Sequence, residues 1–185
     1  VLDSNGVRST PRVEPTTNYS LIRLRQDFRG NSNVGMILTS VHRFDRIPAF
    51  TGGIDWSLRF MDNMYRIAGF LGHNRTGMRG FTEQGSAGSV TFAKDGGPHW
   101  RGNLGADFTS RKYNINDIGF FRRPNDHGAT GNISYRDDTV DDWKRQWNVS
   151  INKHFRWNYE RAEINNNWGA SAYMSFLNYW EAELE

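Results

Sequence analysis

Residues 99–111 read HWRGNLGADFTSR. Trp100, Gly102, Leu104, Ala106 and Phe108 fall on one parity. Arg101, Asn103, Gly105, Asp107 and Thr109 fall on the other. A two-residue period predicts a β-strand with two unlike faces. The fold turns on which face is covered. In a soluble protein the apolar face meets a core. In a membrane barrel it meets lipid, and the polar face lines the interior.

The same alternation recurs along the chain. YSLIRLRQDF sets Ile22, Leu24 and Phe28 against Arg23, Arg25 and Asp27. GIDWSLRFM sets Ile54, Trp56, Leu58 and Phe60 against Asp55, Ser57 and Arg59. HGATGNISYRD, RQWNVSINKHFRW and EINNNWGASAYMSF repeat the pattern. NVGMILTSVHRF splits less cleanly, and in NMYRIAGFLGHN Phe70 falls among the polar positions. About nine strands and the start of a tenth are expected, most near the length a tilted strand needs to cross a bilayer. Tight turns are expected at RGNS, MDN, KDGGP and LNY. Longer loops are expected at FDRIPAF, HNRTGMRGFTEQ, SRKYNINDIGFFRRPND and HFRWNYE. RDDTVDDWKR breaks that rhythm.

Composition narrows the classes. The chain has 185 residues, 14% of them aromatic, with Gly 19 and a mean hydropathy of −0.73. No run has the roughly 18 apolar residues of a spanning helix. Low hydropathy is compatible with a barrel, because only alternate residues face lipid. The net charge of +3 is scattered, with no basic run of the kind that binds nucleic acid. Cys 0 excludes disulfides, thiolate metal sites and cysteine nucleophiles. No secretory signal is visible in VLDSNGVRST, and both ends read as truncations of a longer chain.

The apolar parity carries many small residues: Gly52, Gly69, Gly102, Ala106, Gly131, Ala170 and Ala172. Such residues among scattered Trp and Phe fill a sandwich core poorly, whereas lipid accommodates them. Aromatic residues fall near strand ends, among them Phe28, Phe60, Trp100, Phe108, Tyr135 and Trp147, as in interfacial girdles. The expected fold is therefore all-β: an antiparallel up-and-down transmembrane β-barrel, partial, with about ten strands of a larger barrel. Residues 1–18 are expected to be an entry segment or loop, and 19–185 the barrel segment.

Three stretches carry a resemblance. YSLIRLRQDFRGNSNVGMILTS, YNINDIGFFRR and EINNNWGASAYMSFLNYW resemble an uncharacterised C-terminal domain of large exported bacterial proteins. That domain is found downstream of family-9-like carbohydrate-binding modules. The resemblance implies an outer-membrane β-barrel and no catalytic residue. It carries no sugar-binding residue over to this chain.

Candidate residues follow from the polar parity. Arg23, Arg25, Asp55, Arg59, Arg66, Arg101, Asp107 and Glu163 are expected to line a lumen. There they would pair across it or tune anion passage. In the loop GFFRRPNDHG, Phe120, Phe121, Arg122 and Arg123 are expected to plug the lumen, meet lipopolysaccharide phosphates or contact a partner. His42, His73, His99, His127 and His154 lack zinc spacing, and RDDTVDDW lacks the calcium-loop pattern, so no metal or cofactor is expected. The expected function is a non-enzymatic scaffold or pore in a Gram-negative outer membrane, anchoring a surface carbohydrate-binding module. The expected partners are lipid, lipopolysaccharide, other surface proteins and glycans, without nucleic acid. A soluble secreted β-sandwich that binds polysaccharide is the alternative. A membrane-embedded hydrolase with rim carboxylates is the third reading.

Overall fold

The structure, a computed structural model, describes residues 15–28, 31–44, 46–78, 80–119, 121 and 123–185. Ten strands follow one another: β1 (Thr17–Phe28), β2 (Ser32–Arg43), β3 (Ala49–Phe60), β4 (Tyr65–Met78), β5 (Phe81–Lys94), β6 (Trp100–Thr109), β7 (Asp126–Asp137), β8 (Lys144–Trp157), β9 (Glu163–Phe176) and β10 (Glu181–Leu184). Each pairs antiparallel with the next, giving one up-and-down sheet in the order β1 to β10. The sheet is open, with β1 and β10 at its edges. No helix occurs among the described residues. One sheet, with no second layer among the described residues, differs from the two packed sheets of a β-sandwich.

The expected strand positions recur with two corrections. β1 opens at Thr17, inside the segment assigned to entry. HNRTGMRGFTEQ, expected to be a long loop, is the far end of a hairpin. Pairing runs through Gly77↔Thr82 to Met78↔Phe81, and Gly80 takes the positive φ of the turn. Backbone pairing there continues through polar residues that mask the strand in the sequence.

The register holds parity across the sheet. Ile22 faces Leu38; Met36 faces Ile54; Ile54 faces Leu71. Farther on, Phe92 faces Leu104, and Ile133 faces Ile151. One surface is therefore largely apolar from β1 to β9, with Lys153 on β8 and Asn166 on β9 among its exceptions. The other carries Arg23, Asp55, Ser57, Arg66, Ser89, Asp107, Thr130, Asn132, Asn152 and Arg156. Exposure runs against the soluble pattern. On the apolar face Leu104 is 65% exposed and Ile133 54%, whereas on the polar face Ala93 is 2% exposed and Asn74 1%. Side chains on the polar face crowd one another, as on the inside of a curved sheet. Those on the apolar face stand apart.

The strands are staggered. Consider the row of partners Gln26–Val34–Trp56–Gly69–Val90–Ala106–Ala129–Phe155–Asn166. The turn end of β1, Phe28, lies two residues beyond Gln26. That of β9, Phe176, lies ten beyond Asn166. The drop is eight residues over eight strand steps. With about 3.3 Å per residue and about 4.8 Å between strands, hairpin ends held level imply a tilt of about 35°.

The turn Met61–Asp62–Asn63 places three consecutive non-glycine residues at φ 50, 53 and 65. The left-handed region costs about 1–2 kcal/mol per L-residue, less for Asp and Asn. Met61 has neither relief. The Met61→Gly variant is expected to raise stability by up to about 1 kcal/mol, measured as a shifted urea midpoint of the refolded protein. An unchanged or lower midpoint contradicts this reading of the turn.

Candidate functional site

The polar face holds a ladder of ion pairs whose members come from different strands. Arg23 on β1 and Asp55 on β3 reach across β2, where Gly35 lies between them. Arg23 Nη2 donates to Asp55 Oδ1 at 2.9 Å. A Cβ on Gly35 would stand 2.6 Å from Arg23 Nη2, so glycine leaves the space through which the pair meets. Arg59 and Arg66, partners across β3 and β4, share Asp95 in the next turn at 3.3 and 2.8 Å. Arg156 on β8 lies between Asp107 and Asp126, with Nη1 3.1 Å from Asp107 Oδ1 and Nε 2.7 Å from Asp126 Oδ1. Arg25 meets its neighbour Asp27 at 3.0 Å, and both are exposed. Arg101 is exposed beside Ser134.

Of the residues expected to share one lining, Arg23, Arg25, Asp55, Arg59, Arg66, Arg101 and Asp107 lie on this face. Glu163 does not. A register shift between β8 and β9 sets it opposite Trp157, where it accepts from Asn166 Nδ2 at 3.1 Å. The extra residue of that bulge reverses the parity that the sequence predicts. Asp95, Asp126 and Arg156 complete the ladder and are missed by the sequence reading. They stand at strand ends or turns, and their pairing appears only once the register is known.

The apolar face has its own order. Phe28, Phe60, Tyr65, Trp100, Tyr135 and Trp147 lie progressively farther from the reference row, in step with the staggered turn ends. Ring centroids are 5.7 Å apart for Phe60–Tyr65, 5.0 Å for Trp100–Tyr135 and 5.1 Å for Tyr135–Trp147. At the opposite end Phe155, Trp157, His127 and Tyr159 form a second group. On β6, Trp100 and Phe108 are eight residues apart. That is about 26 Å along the strand and about 22 Å along the normal at the inferred tilt, near the roughly 25 Å of a membrane barrel's apolar band.

After β6, residues 110–119 turn back over the polar face. Asn74 on β4 donates to Asn114 O at 2.6 Å and accepts from Asn114 N at 3.2 Å. Thr76 donates to the same carbonyl at 3.0 Å. Tyr113 is buried over Gly72 and Gly85: a Cβ on Gly72 would meet its hydroxyl at 3.3 Å, and one on Gly85 its backbone N at 2.2 Å. Burial raises the Tyr113 phenol above its ordinary value. Farther along, Asp117 pairs with Arg43 on β2. Phe121 donates its N–H to Asn116 Oδ1 at 2.8 Å and sets its ring edge-on to Tyr113. Arg123 is exposed, and Phe120 and Arg122 lie outside the described residues. No group of three or more His, Asp or Glu side chains is gathered as for a metal among the described residues.

Fold and site define an all-β, single-sheet protein with one exposed apolar face and one charge-paired polar face. Over residues 2–185 the chain matches the family described as "Domain of unknown function (DUF5916)", and it belongs to that family. No curated protein matches the chain, and no solved structure does.

Two carboxylates outside the strands make the electrostatics testable. Hydrogen bonding from Arg66, with Arg59 nearby, holds the Asp95 carboxyl below its usual range. Asn125 and then Arg111 do the same for Glu160. A carboxyl with a lowered folded pKa stabilises the fold above its unfolded pKa of about 4 and loses that stabilisation as pH falls through the folded value. The Asp95→Asn variant is expected to be less stable than wild type at pH 7. The gap should narrow as pH drops from about 4 towards 2, in urea titrations at each pH. A gap independent of pH contradicts the assignment.

Proposed function

We propose that this sheet is a stretch of a transmembrane β-barrel in a bacterial outer membrane, acting as a non-enzymatic scaffold or pore. The observation that carries the reading is the inverted exposure of the two faces. A largely apolar surface of nine strands lies open, while most of the charged and amide side chains crowd together on the other side. Water is a poor neighbour for the first surface, at about 25 cal/mol per Å² of exposed apolar area. Lipid removes that penalty, and a wet interior suits the second. The tilt, the height of the apolar band and the aromatic line that descends with the turn ends support the same environment.

On this reading the free edges of β1 and β10 pair with further strands, from the same polypeptide or from other chains, since unpaired backbone is not tolerated in lipid. The loop end, where β6 and β8 finish, faces outward, and the turn end faces the periplasm. Lipid covers the apolar face, and lipopolysaccharide and surface glycans or proteins meet the loop rim. A carbohydrate-binding module carried by the same polypeptide would be displayed there. The ion-pair ladder lines the interior with matched charge, which suits a structural role better than hydrolysis at a rim carboxylate.

The test compares Leu104→Arg with Asn103→Arg in the full-length protein. Leu104 sits mid-band on the apolar face, and its neighbour Asn103 on the polar one. Arginine at Leu104 is expected to cost about 2–4 kcal/mol of stability in bilayers. At Asn103 the change is expected to stay within about 1 kcal/mol. Equal losses, or a full-length protein that remains monodisperse without detergent, contradict the proposal.

A further inference from the structure

Resting on the pore form of that reading, we infer that the segment Ser110–Gly119 is a fixed constriction. It is folded into the passage, not displayed outside it, and it limits transport to small hydrophilic solutes. Three observations place it. First, it crosses the polar face: it leaves β6, lies over β5 and β4 through Tyr113 and Asn114, and reaches β2 through Asp117 and Arg43. Four strand steps correspond to about 19 Å, so the segment spans a substantial part of that face near the loop-end mouth.

Second, the strands beneath are shaped to receive it. Gly72, Gly85 and Ala87 lie on the polar face of β4 and β5 where Tyr113 sits, and a side chain at Gly85 would collide with the Tyr113 backbone. Asn74 turns both ends of its amide to one residue of the segment, Asn114, and is itself 1% exposed. A loop that merely brushed the surface would not bury an amide so completely.

Third, the segment is held at separate points along its length. Ser110 Oγ accepts from Ser86 N at 2.8 Å at its root, and the Asn74 and Thr76 bonds hold its centre. The Arg43 pair holds its far side. Its three charged side chains each meet an opposite charge, Arg111 with Glu160 at 2.8 Å, Lys112 with Glu83 at 3.6 Å and Asp117 with Arg43. Paired charges leave little net field to sort ions by sign, so the narrowing would act by size.

The experiment uses the full-length protein in two arms. In planar bilayers, replacing residues 113–118 by a short Gly-Ser link is expected to raise single-channel conductance several-fold. It should also admit larger neutral sugars in liposome swelling. In intact membranes, Arg43→Cys with Asp117→Cys, in a background with any other cysteine replaced, is expected to be joined by a short bifunctional thiol reagent. Failure to join them overturns the folded-in placement. Joining with unchanged conductance after shortening overturns the constriction while the pore stands. Joining with no conductance in either form overturns both the constriction and the pore.

Discussion

A slip of one residue in any pairing between β1 and β9 would exchange the faces of every strand beyond it. No such slip occurs within the ladders from β1 through β7. The irregularities lie at the two ends of the β8–β9 pairing, at Lys144/Gln146 and Arg156/Trp157. Parity is thus preserved from Ile22 to Ala172, and every other property of the molecule depends on it. It gathers the apolar side chains on one surface and brings arginines and carboxylates from distant parts of the chain within reach of one another. It also makes each surface continuous, which a set of separate hairpins would not do.

The polar surface then solves its own problem. Cations crowded together would repel, and burying any of them unpaired would be costly. Arg23 with Asp55, Arg59 and Arg66 with Asp95, and Arg156 with Asp107 and Asp126 distribute charge in matched sets. Glycine and alanine between them leave room for the long side chains. The same small residues make the seat for Tyr113, so the placement of the long connection is a consequence of how this face is packed.

Much of the architecture is legible in the sequence because alternation is a local signal. Trp100–Thr109 and Ile54–Phe60 declare their faces unaided. β2 is harder, because Ile37 and Val41 stand on the polar face beside Thr39 and blur the contrast. The ends of β4 and β5 are hidden by Asn74, Arg75, Thr76 and Gln84, whose polarity mimics a loop. Glu163 is misplaced by a single-residue bulge that no periodicity reveals. The family resemblance draws attention to YNINDIGFFRR as a loop, but its partners Asn74, Gly85 and Arg43 lie 28 to 74 residues away. Only the three-dimensional register brings them to it, and Gly72, Gly85 and Ala87 gave the one available hint, as small residues on a face otherwise rich in long polar ones.

The central claim is that the apolar face of this sheet meets lipid and the polar face meets water. The most direct measurement is a spin-label scan through Trp100–Thr109 in the full-length protein reconstituted in bilayers, one cysteine at a time. Accessibility to oxygen and to a polar nickel chelate would be read at each position. The account predicts a two-residue period, with oxygen favoured at Gly102, Leu104 and Ala106 and the nickel chelate favoured at Asn103 and Gly105. Oxygen contact absent from the even positions, or a pattern without that period, would contradict it.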